Sequence, residues 1–228
     1  MRIRSFIIAY ALVLAILLFA DHRPVHSDQN RYSHVVDLTA DDSTTSQPTA
    51  ARNAVRNSIS RTHIIAPDAL IPGTWTASQI PPERLIAPLV VMDLQSRADD
   101  QPISLDDIAA WESHNGMIPQ GAVIAVRRPR AASSTLENVS PTTQFPIARD
   151  AAEFLIDARD TIGFAVETPV DFTRDRTLAR QIALHGSYVV EGATGFTALP
   201  STGSLVLVAP AKTKKSIPAS VRVLAMVR

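Results

Sequence analysis

The chain has 228 residues, which is enough for one substantial hydrophobic core, and no break in composition divides it in two. Its 22 Lys and Arg residues balance its 22 Asp and Glu residues, so the basic surface typical of nucleic-acid binding is not expected. It contains no cysteine, which excludes disulfide bonds, thiol catalysis and cysteine-based zinc sites.

The N-terminus has the charge order of a secretory signal. Residues 1–4 include two arginines, and residues 6–20 form an apolar run that contains one tyrosine. This run is shorter than the roughly 20 apolar residues that a membrane-spanning helix needs. A cleaved signal peptide over residues 1–27, and therefore an exported protein, is predicted. The alternative is an uncleaved N-terminal membrane anchor, because the length is close to that threshold.

Residues 28–228 are predicted to form one domain, which opens with a short strand at residues 34–39. Residues 40–60 contain few large apolar side chains and show no period of 2 or 3.6, so an irregular insertion is predicted there. Residues 61–73 combine a Thr-His pair, an Ala-Pro pair and a Pro-Gly turn. Such a stretch is typical of a site loop that enters the core.

The middle of the chain alternates strands and helices. Residues 88–94 and 121–127 are continuous apolar runs, the pattern of strands that are covered on both faces. Between them, Ser104 and Asp107 predict the capping box that begins a helix, and Gly116 predicts its end. A strand, helix, strand unit is therefore expected.

A second irregular insertion, rich in Ser, Thr and Pro, is predicted near residues 128–145. After it, the patterns predict helices at 147–159 and 178–184 and strands at 162–166, 188–191, 204–209 and 220–226. The fold class is therefore α/β: a single layered domain with a mixed sheet and helices packed on it.

Several of these segments together resemble the cyclase family that includes bacterial kynurenine formamidase and isatin hydrolase. The resemblance is carried, in the same order, by residues 34–39, 62–75, 80–85, 103–108, 111–112, 162–169 and 186–191. It covers most of the chain after residue 33 and implies the family's fold. It also implies metal-dependent hydrolysis of amide-type bonds, a small aromatic or amide ligand, and assembly as a homo-oligomer.

The family's metal-binding motif reads His-x-Gly-Thr-His-x-Asp-x-Pro-x-His. Its Thr, second His and Pro fall on Thr62, His63 and Pro67. The remaining positions, which are His, Gly, Asp and His in the family, are occupied here by Ile59, Arg61, Ile65 and Ala69. Nearer the C-terminus, the family's catalytic His falls on Ala179, and its Glu is retained as Glu191.

These replacements have a chemical consequence. A hydrolytic metal site needs about three protein ligands to hold the ion and to lower the pKa of its bound water. Of the motif's ligands only His63 remains, because isoleucine and alanine offer no lone pair, and Arg61 adds a charge that opposes a cation. No bound cofactor is therefore expected, with zinc or manganese expected only if the family's activity is retained.

The resulting functional expectation is an arylformamidase-like protein whose activity is lost or strongly reduced. The inherited reaction would be hydrolysis of N-formylkynurenine-type amides, a step of tryptophan catabolism to kynurenine. The alternative is a non-catalytic exported protein that serves as a binding or structural module on the same fold.

Five residues are candidates for the site. His63 is either a remnant metal ligand or a hydrogen-bonded structural histidine. Glu191, at a strand end, is either a catalytic general base or an ion-pair or capping residue. Thr62, Trp75 and Phe172 are candidates for the substrate pocket, with core packing as the alternative for the two aromatic residues.

Overall fold

The computed structural model describes residues 32–40, 62–94, 101–128, 144–212 and 219–228. None of the helices in these ranges combines the length and hydrophobicity that crossing a bilayer requires. The predicted signal peptide or anchor lies outside the described residues, as do nearly all of both predicted insertions and the motif positions Ile59 and Arg61. Those features stay predictions.

Within the described ranges, eight strands form one mixed sheet. They are β1 (His34–Asp37), β2 (His63–Ile65), β3 (Ile86–Asp93), β4 (Val123–Arg127), β5 (Gly163–Val166), β6 (Tyr188–Glu191), β7 (Ser204–Pro210) and β8 (Ala219–Val227). Strands β3, β4, β5 and β6 run parallel to one another, and the other pairings are antiparallel. Because β8 pairs with both β2 and β7, seven strands close into a barrel, and β1 is added beside β8.

Four helices accompany the sheet in the described part of the chain. They are α1 (Pro67–Leu70), α2 (Leu105–Asn115), α3 (Arg149–Arg159) and α4 (Arg176–His185). The predicted capping box of α2 is present, since the Ser104 hydroxyl accepts from the Asp107 amide and the Asp107 carboxylate accepts from the Ser104 amide. The single α/β domain with a mixed sheet and packed helices is confirmed, with the ends of the predicted elements shifted by up to two residues.

The prediction of a loop at residues 61–73 is wrong for β2 and α1, which lie within it. Strand β2 is inserted between β6 and β8 and completes the barrel, with Ile64 fully buried. Three residues are too few to show a period of 2, and the hydrogen bonds that make them a strand come from distant parts of the chain.

The sheet separates two apolar clusters. Leu89 and Val91 of β3 face the barrel interior, whereas Val90 and Met92 face the helices, as the alternation of side chains along a strand requires. Residues Ile108, Leu155 and Ile182 of α2, α3 and α4 cover the outer face. With both faces covered, the parallel strands are continuous apolar runs.

Candidate functional site

Two of the predicted site residues, His63 and Glu191, face each other across the antiparallel pair β2 and β6. His63 begins β2 and Glu191 ends β6, so the register of the two strands sets them opposite one another. Nε2 of His63 lies 3.0 Å from Oε2 of Glu191, and the two side chains are only 7% and 4% exposed. The imidazole and the carboxylate therefore form a buried hydrogen-bonded pair.

The second oxygen of Glu191 binds the backbone. Its Oε1 accepts a hydrogen bond of 2.9 Å from the amide of Val170, which lies in the segment between β5 and α4. The same segment is tied to the end of β4, because Oε2 of Glu167 accepts from the amide of Arg128 at 3.0 Å. Sequence reasoning missed the role of Val170, because a backbone donor has no side-chain signature.

Thr62 is buried and its hydroxyl joins three parts of the chain. Oγ1 donates to the carbonyl oxygen of Gly192 at 2.7 Å and accepts from the amide of Ala40 at 2.7 Å. A threonine hydroxyl can donate a single hydrogen bond, and here the carbonyl oxygen of Gly192 accepts it. The described contacts of the Thr62 hydroxyl are thus with the backbone around β1 and β6.

We expect Thr62→Val to lower the free energy of unfolding by about 1–3 kcal/mol, because two partly buried backbone groups lose their partner while the side-chain shape is kept. Urea denaturation of the purified protein measures the change. Thr197→Val, at an exposed position, is the matched control and should change stability by less than about 0.5 kcal/mol. Equal effects of the two substitutions would contradict the structural role of the Thr62 hydroxyl.

Trp75 lies away from the His63 and Glu191 pair. It packs against Gly186, where an added Cβ would lie 2.6 Å from Cζ3 of the indole ring. The guanidinium of Arg84 lies 5.9 Å from the centroid of the ring. Because Gly186 precedes β6 whereas Glu191 ends it, the structure does not bring Trp75 together with Glu191.

Phe172 lies two residues after Val170, in the segment that Glu191 binds. Its ring centroid is 5.8 Å from that of Phe145, which in turn packs edge-to-face on Phe164 at 5.2 Å. Phe172 is half-buried against the apolar cluster between sheet and helices. Phe172 therefore contributes to packing. In sequence it is also nearer than Trp75 to Val170, the residue whose amide binds Glu191.

The positions that carry metal ligands in the family motif are built differently here. Ile65 is half-buried and packs against the outer apolar cluster, and Ala69 is exposed on α1. Ala179, which occupies the position of the family's catalytic His, is buried in α4. Across the described ranges, no group of three or more His, Cys, Asp or Glu side chains is placed to hold a metal ion. The described residues therefore do not fit the metal site that the motif implies.

Comparison with known proteins decides the family. The sequence pattern of the Cyclase family matches residues 19–170, more than half of the chain. The chain belongs to the Cyclase family. No curated protein matches this Cyclase-family chain.

Solved structures similar to this Cyclase-family chain include two isatin hydrolases. Isatin hydrolase A from Labrenzia aggregata, bound to benzyl benzoate, has 24% sequence identity and a TM-score of 0.68, covering 88% of this chain and 96% of that chain. Isatin hydrolase A from Ralstonia solanacearum has 24% identity and a TM-score of 0.69, covering 86% and 92%. A potential metal-dependent hydrolase with cyclase activity has 21% identity and a TM-score of 0.59, covering 86% and 98%. These likenesses establish the shared fold.

Proposed function

We propose that this protein is a non-catalytic member of the Cyclase family that binds a small aromatic or amide-containing ligand and does not hydrolyse it through a metal. The observation that carries the proposal is the hydrogen bond between His63 and Glu191. The one histidine of the motif that the chain keeps has its Nε2 bonded to a carboxylate, and the neighbouring ligand positions hold Ile65 and Ala69.

The surroundings of the pair support this proposal. A cation beside His63 would have to break a buried hydrogen bond and lose part of its hydration next to the apolar side chain of Ile65. Three ligands fix a hydrolytic metal and activate its water. His63 and Glu191 supply only two groups that could act as metal ligands, and these are already hydrogen-bonded to each other. On this proposal the inherited fold retains the binding of a ligand and has lost its metal-dependent hydrolysis.

The second candidate function is residual arylformamidase-type hydrolysis. The same pair favours it, because an imidazole held by a carboxylate is the arrangement of a general base. Its side chains are 7% and 4% exposed, however, and a general base must come within hydrogen-bond reach of the proton that it removes. Burial therefore favours the non-catalytic proposal.

The purified protein is expected to show no hydrolysis of N-formylkynurenine or isatin above the buffer rate, with or without added zinc or manganese chloride. It is also expected to contain no stoichiometric metal when the bound elements are measured by mass spectrometry. His114→Ala, which removes an exposed histidine of α2, is the control for adventitious surface binding. The proposal is contradicted if the protein shows both turnover and stoichiometric metal, and if both are lost in His63→Ala but kept in His114→Ala.

Restoring the motif tests the same account from the opposite direction. The triple variant Ile59→His, Ile65→Asp, Ala69→His is expected to gain zinc binding at about one ion per chain, because it restores the residue types that the family motif uses as ligands together with His63. Adding His63→Ala to the triple variant is the control and should weaken binding strongly. If the native chain binds zinc as tightly as the triple variant, the loss of motif ligands does not explain an absence of metal-dependent hydrolysis.

A further inference from the structure

We infer that His63 is a positioning residue in a metal-free crosslink, in which Glu191 connects it to the segment of residues 167–175. The inference rests on the proposed function in one respect, that His63 is not a metal ligand. It goes beyond that proposal because it assigns the retained motif histidine a new role, which is to hold a particular piece of backbone.

The geometry forms a chain of contacts through three elements. His63 of β2 lies 3.0 Å from one oxygen of Glu191, and the other oxygen accepts from the Val170 amide at 2.9 Å. The carboxylate thus joins two strands of the barrel to the connection that leads into α4.

Burial makes the orientation of Glu191 depend on His63. A buried carboxylate is costly unless hydrogen bonds satisfy it, and in low dielectric surroundings each such bond is stronger than in water. When the imidazole of His63 is removed, Oε2 of Glu191 loses its hydrogen-bond donor. The carboxylate is then expected to rotate toward another partner or toward water. The Val170 amide then loses a well-placed acceptor.

The segment that is held in this way carries two further features. Phe172 packs on Phe145, and Asp175 accepts from the amide of Leu178 as the N-cap of α4. Arg149 of α3 also bonds Asp175, at 2.8 Å, so the far end of the segment is anchored independently of Glu191. Loss of the crosslink is therefore expected to loosen the part of the segment around Val170 more than the part around Asp175.

Hydrogen exchange of the full-length protein, followed by mass spectrometry of its peptides, tests the inference. In His63→Ala the Val170 amide is expected to exchange at least tenfold faster, while the amides of α2, which lie outside the crosslink, keep their native rates. A folded His63→Ala protein with native exchange at Val170 would overturn the inference.

A second variant keeps the test decisive if His63→Ala does not fold. Glu191→Gln retains the length of the side chain and removes its charge, so faster exchange at Val170 is expected. Adding the conservative change His63→Gln to Glu191→Gln should then produce no further acceleration, because both residues act through one contact. Independent, multiplying effects of the two substitutions would contradict a relay through Glu191.

Zinc provides the remaining control. If added zinc chloride slows exchange at Val170 in the native protein and His63→Ala abolishes this protection, His63 is a ligand and the crosslink is wrong. Unchanged exchange in the His63 variants, combined with an absence of hydrolysis, would overturn the crosslink and leave the proposed function standing. Metal-dependent hydrolysis would instead overturn the proposed function directly.

Discussion

Gly163→Ala is expected to lower the free energy of unfolding by about 3 kcal/mol, or to prevent folding, because it overpacks the interior of the barrel. A Cβ built on Gly163 lies 2.5 Å from Cε2 and 2.8 Å from Cζ of Tyr188. The two residues are partners in the parallel pair β5 and β6, and both are buried. The ring of Tyr188 thus occupies the space that any side chain at position 163 would need.

The tyrosine has little freedom to retreat. Its side chain is fully buried, and its hydroxyl donates to the carbonyl oxygen of Arg84 at 3.0 Å. Burial raises the pKa of Tyr188 well above that of an exposed phenol, so this hydroxyl stays protonated and remains a donor. Moving the ring would break that bond as well as disturb the packing.

Guanidinium denaturation of Gly163→Ala, Tyr188→Leu and the double variant measures the effect. The double variant should be more stable than the sum of the two single losses predicts, because a smaller residue at position 188 makes room for the alanine. A Gly163→Ala protein as stable as the native one would contradict the steric argument. Additive losses would show that the two positions are not coupled.

Glu112→Gln is expected to lower the free energy of unfolding by about 2–3 kcal/mol, because it disrupts a largely buried ion pair between α2 and α3. Nε and Nη2 of Arg159 donate to the two oxygens of Glu112 at 2.7 and 2.9 Å. The side chains are 14% and 18% exposed, respectively. Oε1 of Glu112 also accepts from the amide of Ile118, so the carboxylate additionally holds the turn after α2.

The same pair predicts a pH dependence. Hydrogen bonding from Arg159 lowers the pKa of Glu112 below its ordinary value near 4.5. Since the folded pKa lies below the unfolded one, the stabilisation is complete above the unfolded value and is lost as pH falls through the folded value. The stability difference between the native protein and Glu112→Gln should therefore be largest near neutral pH and shrink in acid.

Urea denaturation at several pH values measures this difference. Arg174→Ala is the matched control, because Arg174 pairs with Asp171 but is 60% exposed, and its loss should cost less than about 1 kcal/mol. If Glu112→Gln is no more harmful than the control at neutral pH, the pair between α2 and α3 contributes little. A difference that grows in acid would contradict the direction of the pKa shift.

The features that the sequence predicted correctly depend on neighbouring residues. The capping box at Ser104 and Asp107 and the glycine after α2 act within a few residues of one another, so their effect is visible in the sequence. Continuous apolar runs likewise revealed β3 and β4, because both faces of those strands are covered. The family, too, could be recognised from short segments that follow one another in the same order as in the family.

For the site, the sequence by itself determined which donor atoms exist. Ile65 and Ala69 stand where the motif has ligands, and no fold can give those side chains a lone pair. Tertiary structure alone decided what the retained residues contact. Barrel closure brings β2 beside β6, and only that register sets His63 against Glu191 and leaves the second carboxylate oxygen for Val170. Residue types are local properties, whereas strand pairing depends on backbone hydrogen bonds between distant segments, which no local pattern specifies.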